Sequence, residues 1–225
     1  MSRSVAGPVS LGDSVSALIR RGVLRASTLK LAKHATIYSS GDPGTSMYVV
    51  EEGWVKIVTH SRAGKDCLLA IRTNGDLFGE QALLGEVREE TATAMSPTTL
   101  KRVSRDSFIG SVAQEELLEA LLRYSLTRLS EQQDIITDFV TADSEQRLAS
   151  TLLRLGRKLG RRAPSQIRIE ERISQEDLSR IVGTTRSRVG FFLKRFEALG
   201  LIETSKNCFL AINEQRLCEF VEREA

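Results

Sequence analysis

Hydrophobic and polar positions change their period along the chain. From Ala35 to about Val103, short apolar and β-branched runs alternate with turn residues. Three of these runs are predicted strands, at Met47–Glu51, Trp54–Thr59 and Cys67–Arg72. Strands of this length and spacing predict an antiparallel sandwich or barrel with room for one small ligand.

The next segment, from Ser107 to about Phe139, follows a helical period and contains no proline. Its apolar positions fall near a heptad spacing that Ser125 and Gln132 interrupt. The stripe belongs either to a core helix or to a dimer interface. We expect the dimer, because a small barrel cannot cover so long a stripe. The residues assigned to it are Leu118, Leu122, Leu129, Ile136 and Phe139.

The C-terminal part is predicted to be mainly helical. A helix from about Ser144 to Leu159 ends at Gly160, and Gln166–Glu170 reads as a short strand. Two helices follow in quick succession. The apolar runs of Leu201–Ile212, on either side of Ser205-Lys206-Asn207, predict a hairpin that would form the wing of a winged helix.

The segment Ile173–Phe196 has the pattern of a helix-turn-helix. Ser174 can cap the first helix, Gly183 suits the tight turn, and Thr184 or Thr185 can cap the second helix. The predicted buried faces are formed by Leu178, Ile181 and Val182 on the first helix and by Val189, Phe192, Leu193 and Phe196 on the second.

This burial leaves polar side chains exposed at the start of the second helix, the part that enters the major groove. Arg186 and Arg188 can each donate two hydrogen bonds to guanine. Phosphate contacts are expected from the remaining hydroxyl and basic side chains. The full set of predicted DNA-binding residues is Ser174, Thr184, Thr185, Arg186, Ser187, Arg188, Lys194 and Arg195.

Charge supports this interpretation. Residues 147–195 contain 13 basic and 4 acidic residues, whereas residues 1–140 are nearly balanced. Such a local excess is typical of a phosphate-binding surface.

Other chemistry has little support. Cys67, Cys208 and Cys218 are scattered, and with only His34 and His60 they offer no metal-ligand cluster, so we expect packing cysteines and no metal. There is no nucleophile–base constellation, so an enzyme is not expected. With 41% hydrophobic and 27% charged residues, no long apolar run and no signal peptide in the first 25 residues, we expect a cytoplasmic protein without a membrane partner.

Two distant motifs resemble the Crp/Fnr family of bacterial transcription regulators. Residues 181–190 (IVGTTRSRVG) and 197–202 (EALGLI) are similar to the family's recognition helix and the segment after it. Residues 75–80 (GDLFGE) and 48–57 (YVVEEGWVKI) are similar to its cyclic-nucleotide-binding-type barrel. The resemblance runs from about residue 24 to 217.

The resemblance implies an α+β chain with a jelly-roll barrel, a dimerisation helix and a C-terminal winged helix-turn-helix. The expected divisions are an N-terminal segment at 1–24, the barrel at 25–106, the helix at 107–140 and the DNA-binding domain at 141–225. The expected partners are double-stranded DNA with a pseudo-palindromic site, a second copy of the chain and RNA polymerase. Arg186 would contact guanine. Ser187 and Phe191 stand where other members carry polar contacts.

The same resemblance places an effector pocket in the barrel, at Gly79 and Glu80. Nucleotide-binding members continue with an Arg-Ser pair that holds the cyclic phosphate, but this chain has Glu90-Thr91, and Arg88 lies two residues early. Gln132-Gln133 replace the Thr-Ser pair that faces the base. Because Glu90 would repel a phosphate, we expect no cyclic AMP binding of the usual kind and no cofactor, with the effector unknown.

Three alternatives stay open at this stage. The chain could be a cyclic-nucleotide-responsive regulator with an altered pocket, or a ligand-binding or interaction module without specific DNA binding. A haem route through His34 or His60 also remains open.

Overall fold

The computed structural model describes residues 10–61, 64–85, 87–115, 117–164, 166–205 and 208–223. The chain divides into two compact units, residues 1–131 and 132–225, and each is described on its own. Within the described residues, no helix is both long and apolar enough to cross a membrane.

The N-terminal unit contains eight described strands. They are β1 (Ser27–Leu31), β2 (Thr36–Tyr38), β3 (Ser46–Glu52), β4 (Val55–His60), β5 (Asp66–Arg72), β6 (Leu77–Phe78), β7 (Thr91–Ala94) and β8 (Thr98–Ser104). One antiparallel sheet has the order β1-β8-β3-β6 and the other β2-β7-β4-β5. The predicted antiparallel β-fold is confirmed, and β3, β4 and β5 contain the three predicted strands almost in full.

Strand β3 is buried on both faces because it lies between two apolar clusters. Tyr48 and Val50 point into the cluster inside the barrel, together with Tyr38 and Phe78. The alternate residues of β3 pack instead against helices outside the sheet, in a cluster that includes Met47, Val49, Leu11, Val15, Leu18, Val103 and Phe108.

Three helices and a 3-10 turn complete this unit and lead out of it. They are α1 (Leu11–Arg20), the 3-10 turn Glu80–Leu83, α2 (Arg105–Gln114) and α3 (Leu118–Thr141). The expectation of one helix from Ser107 to Phe139 is wrong. α2 is separate and ends at Glu115, because Phe108 is completely buried and holds α2 against the barrel, whereas no residue of α3 is buried.

Helix α3 presents an apolar stripe to solvent. All five residues predicted for dimerisation are exposed, as are two further apolar residues on the helix. The stripe comprises Leu118, Leu122, Leu126, Leu129, Ile136, Phe139 and Val140.

The C-terminal unit combines four further helices with a four-stranded sheet. The elements are α4 (Ser144–Leu159), β9 (Arg161–Ala163), β10 (Gln166–Ile169), α5 (Gln175–Val182), α6 (Arg186–Ala198), β11 (Ile202–Ser205), β12 (Cys208–Ile212) and α7 (Glu214–Arg223). The sheet order is β11-β12-β10-β9. The predicted hairpin is confirmed as β11–β12, while residues 206 and 207 of its turn lie outside the described residues.

Candidate DNA-recognition helix and barrel interior

The α5–α6 pair is joined by a three-residue turn whose geometry follows from its sequence. The Ser174 hydroxyl accepts a 3.0 Å hydrogen bond from the Asp177 amide and thereby caps α5. Gly183 ends α5 with φ 69° and ψ 44°, a left-handed conformation that glycine adopts without steric cost. Of the two threonines predicted as caps for α6, Thr185 takes the role and accepts a 3.3 Å hydrogen bond from the Arg188 amide.

The buried faces of both helices agree closely with the apolar spacing. Leu178 and Val182 are buried on α5, while Ile181 is half-buried. On α6 the buried residues are Val189, Phe192, Leu193 and Phe196. This packing fixes which side of α6 faces solvent.

The outer side of α6 is basic at its beginning. Arg186, Ser187 and Arg188 are exposed, and Lys194 is exposed two turns later. The guanidinium carbon of Arg188 lies 5.7 Å from the centroid of the Phe192 ring, and the hydroxyls of Ser187 and Thr185 lie 3.1 Å apart. The helix therefore presents two arginine side chains at the end that a helix-turn-helix inserts into the major groove.

Arg195 has a different environment from the other predicted DNA contacts. One of its terminal nitrogens donates a 2.7 Å hydrogen bond to Oε2 of Glu145, a largely buried carboxylate at the start of α4. Charge-assisted bonds of this kind are strong, so the Arg195 guanidinium links α6 to α4. Its suggested role as a phosphate contact has no further support from this geometry.

The barrel interior has its own buried charges, and the first is Arg88. Only 2% of this side chain is exposed, and its guanidinium donates hydrogen bonds to the backbone carbonyl oxygens of Gly79, at 2.8 Å, and of Ser46. The same guanidinium lies 4.2 Å from the centroid of the Tyr38 ring. Arg88 therefore reaches the Gly79-Glu80 segment and is held there by protein groups.

The second buried charge is Glu90, which is 7% exposed. The Tyr38 hydroxyl donates a 2.7 Å hydrogen bond to its Oε1 atom. Desolvation raises the pKa of the Glu90 carboxyl above its usual range, although the hydrogen bond from Tyr38 and the charges of Arg72 and Arg88 act in the opposite direction. Burial and the nearby Glu90 raise the pKa of Tyr38 far above its usual value, so its hydroxyl remains a donor.

The remaining predicted pocket residues are also engaged by the protein. The Tyr124 hydroxyl lies 3.1 Å from the Glu80 carboxylate, and the Thr91 hydroxyl accepts a 3.1 Å hydrogen bond from the Ser40 amide. Gln132 and Gln133 lie on α3 in the C-terminal unit, so their place in an effector pocket stays a prediction.

Sequence reasoning missed two residues of the barrel interior. Arg72 is 3% exposed, and alternation along β5 places it on the same side as Leu68 and Ala70. Period two would therefore have revealed it as a buried charge. Tyr38, the partner of Glu90, had no such signal, because the two residues are 52 positions apart.

Comparisons with known proteins agree with both parts of this description. Residues 28–115 match the family of cyclic nucleotide-binding domains, and residues 146–220 match the Crp-like helix-turn-helix domain. A CRP-like cAMP-activated global transcriptional regulator of Mycobacterium tuberculosis is 28% identical over 184 residues, which cover 81% of this chain and 82% of that protein. The global nitrogen regulator of Synechococcus elongatus is 27% identical over 189 residues, 82% of each chain.

Solved structures have the same fold. FixK2 from Bradyrhizobium japonicum superposes with a TM-score of 0.76 at 22% identity, covering 87% of this chain and 97% of that chain. A CRP-family transcriptional regulator from Thermus thermophilus superposes with a TM-score of 0.70 at 26% identity, covering 88% of this chain and 96% of that chain. The fold and the α5–α6 pair thus define a transcription regulator with a DNA-binding helix-turn-helix and a cyclic nucleotide-binding-like domain. The chain belongs to the Crp/Fnr family.

Proposed function

We propose that this regulator binds a pseudo-palindromic DNA site as a homodimer and reads each half-site with α6. The observation that carries the proposal is the exposed pair Arg186 and Arg188 at the N-terminal end of α6, held in place by the Thr185 cap. Arginine at this position recognises guanine through O6 and N7. Binding to DNA would place the protein in the cytoplasm, with RNA polymerase as the partner that reads out the bound dimer, and requires no catalysis.

The exposed stripe on α3 supports the homodimer. Seven apolar side chains on one helix would otherwise face water, and a second copy supplies a matching apolar surface by two-fold symmetry. Two α6 helices would then enter successive major grooves about one helical turn apart.

The test begins with selection of bound sequences from genomic DNA, followed by affinity measurements on the selected site and on random DNA. Arg186→Ala should reduce the ratio of specific to random affinity by about 5-fold to 150-fold, as expected for one lost bidentate contact. Lys194→Ala is the matched control. It should weaken both affinities alike and reduce the salt dependence by about one counterion, because a phosphate contact carries no sequence information. An unchanged ratio in Arg186→Ala would contradict the proposal and favour an interaction module without specific DNA binding.

We further propose that the barrel does not take cyclic AMP in the manner of nucleotide-binding members. Glu90 stands where those members carry the phosphate-binding arginine, and its carboxylate is held by Tyr38. The carbonyl of Gly79 is already bonded to Arg88. Cyclic AMP or cyclic GMP at millimolar concentration should therefore leave the melting temperature unchanged.

One observation favours a second candidate, a cyclic-nucleotide-responsive regulator with an altered pocket. Arg88 brings a positive charge to the Gly79-Glu80 segment, and among the described residues its buried Nε atom has no hydrogen-bond partner. The Mycobacterium tuberculosis relative is named as cAMP-activated. A clear rise in melting temperature with cyclic AMP, abolished in Arg88→Ala, would establish this candidate in place of the first.

A further inference from the structure

Phe191 is an apolar residue on the DNA-facing side of α6 that the core does not use. Its side chain is 65% exposed, whereas the other large apolar residues of the helix, including Phe192 and Phe196, are buried. The rings of Phe191 and Phe192 meet edge to face with centroids 5.9 Å apart, so the neighbouring ring fixes the position of Phe191 without covering it.

Helical geometry places Phe191 beside the reading residues. Residues three and four positions apart lie on the same helix face, so Phe191 is adjacent to both Arg188 and Ser187. Ser187 is small, and Gly190 has no side chain at all. The Phe191 ring therefore projects from a part of the surface where little else extends as far.

The major groove offers one apolar group among its polar base edges, the C5-methyl of thymine. A phenyl ring has no hydrogen-bond donor or conventional acceptor to satisfy the polar edges of guanine, cytosine or adenine. Contact with guanine O6 or cytosine N4 would remove water from those polar atoms without replacing its hydrogen bonds. Contact with a thymine methyl removes only apolar surface from water.

We propose that Phe191 packs against the C5-methyl group of one thymine in each half-site and so determines the preference for thymine at that position. This inference rests on the proposed DNA-binding function and adds an apolar contact to the arginine contacts. It assigns Phe191 as a specificity-determining residue.

The test uses the selected DNA site with each thymine of the half-site replaced in turn by deoxyuridine, which removes only the methyl group. The unmodified protein should lose about fourfold in affinity per half-site at one position, as expected for one buried methyl group. In Phe191→Ala the same replacement should have no effect. Phe191→Leu should retain part of the sensitivity, because its side chain is still apolar.

Leu199→Ala is the matched control. Leu199 is also exposed but lies two turns further along, at the C-terminal end of α6. This variant should respond to deoxyuridine like the unmodified protein.

The inference is overturned if no position is sensitive to deoxyuridine, or if the sensitive position remains so in Phe191→Ala. Arg186→Ala separates this failure from failure of the proposed function. If Arg186→Ala still abolishes the preference for the selected site, the regulator reads DNA through arginine and only the role of Phe191 is wrong.

Discussion

The Tyr38 hydroxyl and the Glu90 carboxylate form a 2.7 Å hydrogen bond inside the barrel. Tyr38 comes from β2 and Glu90 directly precedes β7, its antiparallel neighbour. The bond places a carboxylate in an interior where Arg88 lies over the same tyrosine ring. The part of the barrel that would receive a cyclic phosphate is thus already occupied by an internal acid, base and phenol.

Glu90→Gln should make stability less dependent on pH. Because the pKa of Glu90 is raised by burial, the folded state retains a proton that the unfolded chain has lost. The stabilisation is complete below the ordinary pKa of about 4.5 and is lost as the pH rises through the folded value. The free energy of unfolding of Glu90→Gln relative to wild type should therefore increase between pH 5 and pH 8.

Trp54 is the sole tryptophan of the chain and lies next to β4, so its fluorescence during urea denaturation reports on the barrel. Glu89→Gln, at the exposed neighbouring position, is the control and should follow the wild-type pH profile. A parallel profile for Glu90→Gln as well would disprove the effect of burial.

Arg88→Ala should destabilise the barrel by about 3 kcal/mol. The change removes two charge-assisted hydrogen bonds and leaves the carbonyls of Gly79 and Ser46 without this donor. Arg88→Lys should recover little of the loss, because a lysine cannot reproduce the planar fork of donors. Urea denaturation followed by Trp54 fluorescence measures both. Arg123→Ala, on the exposed face of α3, should change stability by less than about 0.5 kcal/mol. Equal losses in Arg88→Ala and Arg123→Ala would refute the role given to Arg88.

Gly183→Ala should destabilise the α5–α6 pair by about 1–2 kcal/mol. The position has a positive φ, and a Cβ atom there would lie 2.8 Å from Cε1 of Phe139. Faster amide hydrogen exchange in residues 175–182 and weaker DNA binding are the expected results. Gly110→Ala is the contrasting variant, because it lies within α2 and a Cβ atom there meets nothing within 4 Å. It should stabilise its own unit by about 0.5–1 kcal/mol. Unchanged exchange in Gly183→Ala would show that the turn tolerates a side chain.

Leu129→Glu should weaken the homodimer at least about 100-fold, because each copy would bury an unpaired carboxylate in the proposed interface. Sedimentation velocity over a concentration series measures the dissociation constant. Thr127→Glu introduces the same charge two residues away, about 200° around the helix from Leu129, and should leave dimerisation unchanged. If both variants dimerise equally well, the stripe on α3 is not the interface.

Much of the C-terminal unit could be predicted because its determinants are local. The caps, the turn glycine and the apolar spacing of residues 173–196 act within a few positions of one another, and the structure has them as expected. Helix α1 had comparable signals, with a Ser10 cap and buried Leu11, Val15 and Leu18, and was foreseeable on the same basis.

Local pattern was less informative for the junction between α2 and α3. Both segments are helical, and nothing in their period marks the break after Gln114. The break follows from the burial of Phe108 against the barrel, which holds α2 on a surface that α3 does not share.

The residues 173–196 therefore specified the recognition helix, its exposed arginines and its exposed Phe191 from the sequence alone, because a helix of known register determines its own faces. Only the tertiary structure decided what the charged residues do. Arg195 is paired with Glu145 across 50 positions, and Arg88 and Glu90 turn inward to carbonyls and to Tyr38. Such pairings depend on which distant segments fold together, and no period along the chain encodes them.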